Sequence, residues 1–304
     1  MTRRGPVLVV GLSPCLDEEW TVGRLEPGGV HGGIAPVARA GGKAANVART
    51  LARLGVESRL FGAVGGATGR AIASLLESDG VRAELVPARG ESRRCVLVVE
   101  RERRRQTVFN GVAPEVPRAS LSRLFERLER ALRRGAEGLV VTGSLPRSAP
   151  RGLYARMVAL AASAGVPSLL DSSGDGLLSG LSGRVPPRTL KVNRRELARL
   201  ATGREPRSEP STAATVRAAR RVRSAFGLAE AVITGGAGPV VAIDDAGTFT
   251  VRPPRVRVRS AVGAGDAFAA GFMAAPAEPL RERVARALAA AAAHCEGTPR
   301  ERRR

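Results

Sequence analysis

Residues Gly138–Asp171 read GLVVTGSLPRSAPRGLYARMVALAASAGVPSLLD. A short apolar run ends in glycine at 143, apolar residues recur at helical spacing over 152–164, and a second apolar run closes the stretch at 168–171. Neither run alternates with polar residues, as expected of strands covered on both faces. Two such strands with a helix between them read as a parallel βαβ unit, because a parallel pair needs a long crossover.

The same alternation continues on both sides of this unit. A helix is expected over 120–134, strand TLKVN before a helix over 194–201, then a helix over 213–226 and strand AVIT at 231–234. VVAID and TFTVRP around DDAG read as a hairpin, and two alanine-rich helices close the sequence. Near the start, VLVVG (7–11) is a buried strand, KAANVARTLARL (43–54) a helix closed by Gly55, SRLFGAVG a strand, and 70–78 a helix ending at Gly80. CVLVVE (95–100) and QTVFN (106–110) flank RERRR as a second hairpin. The Gly- and Pro-rich segment 20–39 reads as exposed strands and turns. These early strands break the alternation and are expected to form a small β lid, from about 12–40 and 90–112, over the end of the sheet where open α/β folds bind ligands. The expected fold is a three-layer α/β/α sandwich with a mostly parallel sheet, one domain over 1–304.

Composition narrows the function. The 304 residues are 43% hydrophobic and 25% charged, ordinary for a globular protein. No apolar run approaches the roughly 20 residues that span a bilayer, and the basic start MTRRGPVLVVG reads as a strand, not a signal, so no membrane partner is expected. Cys15, Cys95 and Cys295 form no CxxC pair, which points to neither a disulfide framework nor a zinc site and to a reduced, cytoplasmic protein. A net charge of +21 raises the question of nucleic acid. Only 3% of residues are aromatic, and the arginines are scattered, with short runs at 103–105 and in the terminal ERRR, so a base-stacking platform or basic stripe is not expected. The chain carries 47 arginines and two lysines, Lys43 and Lys191. Where nearly every cation is arginine, a retained lysine marks a position that needs a compact point charge.

No Walker loop is present, since the one GK is followed by alanine, and no GxGxxG fits either. With only His31 and His294 there is no HExxH, and a histidine-based zinc hydrolase or catalytic triad is not expected. Two Gly-rich turns that open helices remain: AGGKAANVARTLARLG (40–55) and SAVGAGDAFAAGF (260–272). In the second, Asp266 admits two readings. A carboxylate near a helix N-terminus is stabilised by the dipole and free amides; alternatively the VGAG turn presents amides to an anion and Asp266 handles a proton beside it.

Together, in this order and separation, the two turns resemble the signature regions of the PfkB, or ribokinase-like, carbohydrate kinases. SPCLD (13–17), TGSLPRSAP (142–150), LDSSGDGL (170–177) and KVNRREL (191–197) extend the resemblance over nearly the whole chain, towards the branch that acts on hexose phosphates. The resemblance implies a ribokinase-like fold and ATP-dependent phosphorylation of a hydroxyl of a ketohexose phosphate. Fructose 1-phosphate comes first, then fructose 6-phosphate or tagatose 6-phosphate. It implies Asp266 as general base, with Gly263, Ala264 and Gly265 building an anion hole from the amides of Ala264, Gly265 and Asp266. Asp17, Gly41, Gly42, Lys43, Asn46, Arg93 and Asn110 would bind the sugar phosphate, with Lys43 and Arg93 on its phosphate. Lys191, Asn193, Thr234, Gly236 and Gly238 would bind ATP, and Glu196 would reach Mg²⁺ through water. For Asn193 and Glu196, three apart at a helix start, an ordinary capping box is the second reading. The sequence departs from the family pattern at Val192 (usually proline), Cys95 (asparagine in the hexose-phosphate branch) and Pro239 (a glycine), and in stopping soon after Gly297 without the usual last helix. A kinase of an unphosphorylated sugar or nucleoside, or a basic nucleic-acid-binding or non-catalytic binding protein, are the competing readings. A homodimer through the β lid is the expected assembly.

Overall fold

The computed structural model describes residues 5–146 and 148–297; Arg147 of TGSLPRSAP and the terminal ERRR lie outside them. The first half of the chain runs β1 (Val7–Val10), β2 (Cys15–Val22), β3 (Val37–Gly41), α1 (Lys43–Arg53), β4 (Ser58–Val64), α2 (Gly66–Ser78), β5 (Arg82–Pro87), β6 (Arg94–Glu100), β7 (Arg105–Asn110) and α3 (Arg118–Arg133). Then follow β8 (Gly138–Thr142), α4 (Leu153–Ser163), β9 (Ser168–Asp171), α5 (Gly174–Leu181), β10 (Thr189–Asn193), α6 (Arg194–Thr202) and α7 (Thr212–Phe226). The last elements are β11 (Glu230–Gly235), β12 (Gly238–Asp244), β13 (Gly247–Val251), α8 (Ala264–Met273) and α9 (Leu280–Glu296).

A nine-stranded sheet has the order β13-β12-β11-β10-β9-β8-β1-β4-β5. Its strands are parallel from β11 to β5, and β12 alone runs against them, pairing antiparallel with β11 on one side and β13 on the other. The continuous apolar runs have a direct explanation in side-chain alternation. Leu8 and Val10 of β1 face one buried cluster with α3, α4, α5, α6 and α7, while Val7 and Val9 face a second with α1, α2, α8 and α9. β8 divides in the same way, Leu139 and Val141 to the first cluster and Val140 to the second. Each fully buried leucine or valine contributes about 1.5–3 kcal/mol, which makes the sandwiched central strands the rigid floor of the fold. A separate four-stranded sheet, β3-β2-β6-β7, comes from the early segments and supplies the expected lid strands.

Two elements went unread and two strand or helix starts differ from the sequence reading. The second helix begins at Gly66, not 70, because the Glu91 carboxylate, distant in sequence, accepts the Ala67 and Thr68 N–H groups at 3.0 and 2.8 Å. β5 went unread: it is the edge strand beside β4 and carries Arg82 and Glu84. α5 also went unread, since glycine weakens a helix. Gly176 and Gly180 are there for close packing: added Cβ atoms would meet Ser172 Oγ at 2.2 Å and Leu170 Cδ2 at 2.5 Å. β2 begins at Cys15 rather than near Trp20, and 23–36 holds no strand before β3.

Candidate active site

Both Gly-rich turns meet at the carboxyl ends of the central strands, the edge where open α/β sheets bind ligands. Asp171 and Asn193 are the last residues of β9 and β10, and α1 and α8 begin beside them.

The two lysines of the chain converge on one carboxylate. Lys43 Nζ lies 3.0 Å from Asp171 Oδ1, and Lys191 Nζ lies 3.0 Å from Asp171 Oδ2. The Asp171 and Lys191 side chains are 1% and 5% exposed, whereas Lys43 keeps 33% of its surface and can face a ligand. Burial pushes the Asp171 carboxyl up, but Lys191 and Lys43 outweigh it and hold it below the usual range. Burial likewise pulls the Lys43 ammonium down, and Asp171, Asp266 and Glu196 more than reverse this. Asp171 therefore fixes two cations in place, each at single-atom precision. No role was read for it from sequence. The available signals were an acid closing the apolar run SLLD and the pairing of two rare lysines with conspicuous motifs.

Asp266 lies in the first turn of α8 and is buried. Gly263 caps that helix at φ 88°, a left-handed conformation that favours glycine, and a Cβ there would press on His294 Nε2 at 3.0 Å. Asn46 Nδ2 donates to Asp266 Oδ2 at 2.8 Å, and Asn46 Oδ1 accepts from Arg49 Nη1 at 3.0 Å, which fixes the amide orientation. Burial raises the Asp266 carboxyl to about 6; Lys43 opposes this, Asp171 adds to it, and the Asn46 bond and Lys191 oppose it further. A carboxyl so poised ionises near neutrality and is a competent proton acceptor. Of the three amides expected to form the anion hole, Ala264 N–H donates to Ala261 O at 3.2 Å and Asp266 N–H to Gly263 O at 3.1 Å. The Gly265 N–H makes no such turn bond among the described residues. A Cβ on Gly265 would stand 3.6 Å from Lys191 Nζ, so this glycine keeps the approach to that ammonium open.

Asp17, Gly41 and Gly42 form the second flank. Asp17 of β2 stands beside β3, and a Cβ on Gly41 would fall 2.0 Å from the Asp17 carboxyl carbon, so the AGGK turn needs glycine for Asp17 to fit. Burial raises the Asp17 carboxyl while the Cys15 thiol bond, Arg93, Arg49 and Arg39 hold it down; the net direction is up. Arg93 Nη2 donates to Ser13 O at 3.2 Å. Lys43, Arg93, Ser13, Gly42, Thr142 and Ser173 line one cavity of about 170 Å³. Asn110 closes β7 opposite Cys95 and is exposed.

Asn193 and Glu196 form the capping box: Asn193 Oδ1 accepts Glu196 N–H and Glu196 Oε2 accepts Asn193 N–H, both at 2.8 Å. Thr234 is the register partner of Asn193 on β11, and the turn to Gly238 follows with Gly236 at φ 58°. The Arg194 guanidinium backs this turn, donating to Pro239 O at 2.8 Å; a Cβ on Gly235 would meet its Nε at 2.6 Å.

The structure thus gathers Lys43, Asn46, Lys191, Gly263, Gly265 and Asp266 around Asp171, with Asp17, Gly41, Gly42 and Arg93 on the lid side. Thr234, Gly236 and Gly238 lie one strand further out. Besides Asp171, sequence reading missed His294, whose Nε2 is 2.8 Å from Val262 O and ties α9 to the turn before Asp266. A larger cavity, about 490 Å³, opens at the amino ends of the strands among Pro167, Pro186, Pro187, Glu137 and Arg188, and none of the motif residues line it.

The model of the pfkB family carbohydrate kinases matches residues 14–298. A 1-phosphofructokinase of Xanthomonas campestris pv. campestris is 32% identical over 270 residues, covering 88% of this chain and 83% of that protein. Phosphofructokinase-2 from Escherichia coli, solved in complex with fructose-6-phosphate, superposes with a TM-score of 0.82 at 25% identity over 96% of this chain and 94% of that one. A possible 1-phosphofructokinase from Thermotoga maritima shares the fold, with a TM-score of 0.83 at 22% identity and the same coverage.

Proposed function

Because the chain belongs to the pfkB family of carbohydrate kinases and has their ribokinase-like fold, we propose that it transfers the γ-phosphoryl group of ATP to a hydroxyl of a ketohexose phosphate, with fructose 1-phosphate the first candidate. The observation that carries this reading is a buried carboxylate, Asp266, raised to about 6 beside Lys43, in the first turn of a helix. The acceptor hydroxyl oxygen bonds to the γ-phosphorus, the bond from that phosphorus to the β–γ bridging oxygen breaks, and the hydroxyl proton passes to Asp266. Phosphoryl transfer is catalysed chiefly by positioning and by stabilising charge on the moving group. The Gly265 amide and Lys191, beside the Gly263–Asp266 turn, supply that stabilisation here. Asn193, Thr234, Gly236 and Gly238 line the path of the nucleotide.

Glu196 fits a hydrated Mg²⁺: its Oε2 is engaged in the capping box, which leaves one carboxylate oxygen for a cation that keeps most of its waters. Bound with ATP, Mg²⁺ neutralises phosphate charge. The preference for a phosphorylated sugar rests on Lys43 and Arg93 meeting in one cavity. Asp17 and Asn46 receive the sugar hydroxyls, with Asn110 at the rim.

ADP release across a panel of ketohexose phosphates, free sugars and nucleosides tests the assignment. Lys43→Met should raise KM for the phosphorylated acceptor by roughly tenfold to a hundredfold more than for a neutral one, the worth of a charge-assisted hydrogen bond; a fall in kcat common to both acceptors reflects the Asp266 carboxyl, which Lys43 holds down. Equal rises in KM for both classes would refute the phosphate role. The exposed face of β7, with Phe109 57% exposed, supports a homodimer through the small sheet, which mass measurement in solution checks. No described helix is long and apolar enough to cross a membrane, consistent with a cytoplasmic enzyme.

A further inference from the structure

In the small sheet β2 and β6 run parallel with Asp17 opposite Cys95. Cys15 lies two residues before Asp17 on the same strand, so their side chains share a face. Cys15 Sγ is 2.9 Å from Asp17 Oδ1. One donor atom each from Cys15, Asp17 and Cys95 all lie within 4.8 Å of one another, and no other such group of three histidine, cysteine, aspartate or glutamate side chains occurs among the described residues. The two cysteines are 2% and 6% exposed, and Cys95 stands where the resemblance leads one to expect asparagine.

Tetrahedral Zn²⁺ has Zn–S bonds of about 2.3 Å and Zn–O bonds of about 2.0 Å, which require S···S separations of about 3.8 Å and S···O separations of about 3.5 Å. The three donor atoms already lie within 4.8 Å of one another; the Cys15–Asp17 contact of 2.9 Å has to open by about 0.6 Å to reach the required S···O separation. Charge is manageable as well. Two thiolates and a carboxylate around a dication leave one net negative charge, and Arg93, Arg49 and Arg39 act on Asp17 from around it. Three protein donors leave a fourth position for water, the arrangement of an accessible rather than a closed zinc site.

We propose that Cys15, Cys95 and Asp17 bind a thiophilic divalent cation of the zinc class, and that this ion and the sugar compete for Asp17. On binding, the two thiol protons pass to solvent and two metal–sulfur bonds form, with no change of oxidation state. The competition rests on Asp17 as a sugar ligand; the binding site does not.

The full-length protein, reduced with a phosphine, is titrated with Cd²⁺ while its thiolate-to-metal charge-transfer absorbance is followed, and with Zn²⁺ by calorimetry. One equivalent should bind. Cys15→Ser and Cys95→Asn should each weaken binding tenfold or more and reduce the absorbance, Asp17→Asn should weaken it, and Cys295→Ser should leave it unchanged. Circular dichroism of each variant separates a lost site from a lost fold. Failure of the wild type to take up either ion, or uptake that survives in the folded Cys15→Ser/Cys95→Asn double variant, overturns the site. With Zn²⁺ at ten times its Kd, KM for the sugar phosphate should rise about elevenfold at unchanged kcat. A fall in kcat at constant KM overturns the competition. The titration needs no substrate, so an incorrect acceptor assignment shows in the ADP panel alone.

Discussion

Asp266→Asn should make the protein more stable while removing its turnover. Burial lifts the Asp266 carboxyl from 3.8 to about 6. The folded state therefore holds this proton more tightly than the unfolded chain does. Stability that the group contributes is present below pH 3.8 and is lost as pH rises through 6, so the ionised side chain opposes folding at neutrality. A difference of about two pKa units corresponds to about 3 kcal/mol at pH 7, shrinking to well under 1 kcal/mol at pH 4. Asparagine carries no charge and can still offer a carbonyl oxygen to Asn46 Nδ2, now at 2.8 Å from the carboxylate. Urea unfolding of wild type and variant at pH 7, 5.5 and 4, with m-values compared, reads the difference directly, and ADP release reads the activity. A variant no more stable than wild type at pH 7, or a gain that does not change with pH, would refute the burial argument. Turnover near the wild-type rate would remove Asp266 as the base.

The same carboxyl should give kcat/KM an acid limb with its midpoint at about 6, falling tenfold per pH unit below it, as measured in a pH series with saturating ATP. Asp171→Asn strands Lys191 in the interior, while the third-exposed Lys43 can turn to water; the loss should be about 3–5 kcal/mol in urea unfolding. Asp171 raises the Asp266 carboxyl and Lys43 lowers it more strongly, so the acid limb of the surviving activity should move to lower pH if Lys43 stays in place and to higher pH if it turns to water. Gly41→Ala places a methyl 2.0 Å from the Asp17 carboxyl carbon. It should destabilise by about 1–3 kcal/mol and raise KM for the sugar with a smaller effect on kcat, as steady-state kinetics will show.

Much of the fold was legible because the central strands are buried on both faces and leave uninterrupted apolar runs, as in VLVV and GLVVT. What escaped were elements whose cause lies elsewhere in the chain. The first turn of α2 exists because Glu91 caps it, α5 tolerates its glycines because Leu170 and Ser172 press against them, and β5 sits at an edge where charge is acceptable. The candidate site shows the same division. Glycine turns and the acid after them are local patterns and could be read directly. Asp171 could not, since its meaning comes from Lys43, 128 residues before it, and from Lys191 on the next strand. For Asn193 and Glu196 the capping box is what forms, and it leaves one Glu196 oxygen uncommitted.

Lysine scarcity has a practical corollary. Apart from the chain terminus, the protein offers two primary amines, and one of them, Lys191, is sealed away. Reagents that acylate amines, whether laboratory esters or metabolic acyl donors, thus find Lys43 as their single reachable side-chain target. The ion pair of Lys43 with Asp171 keeps that nitrogen protonated and slow to acylate, so the rate of labelling at this one position reports how often the pair opens.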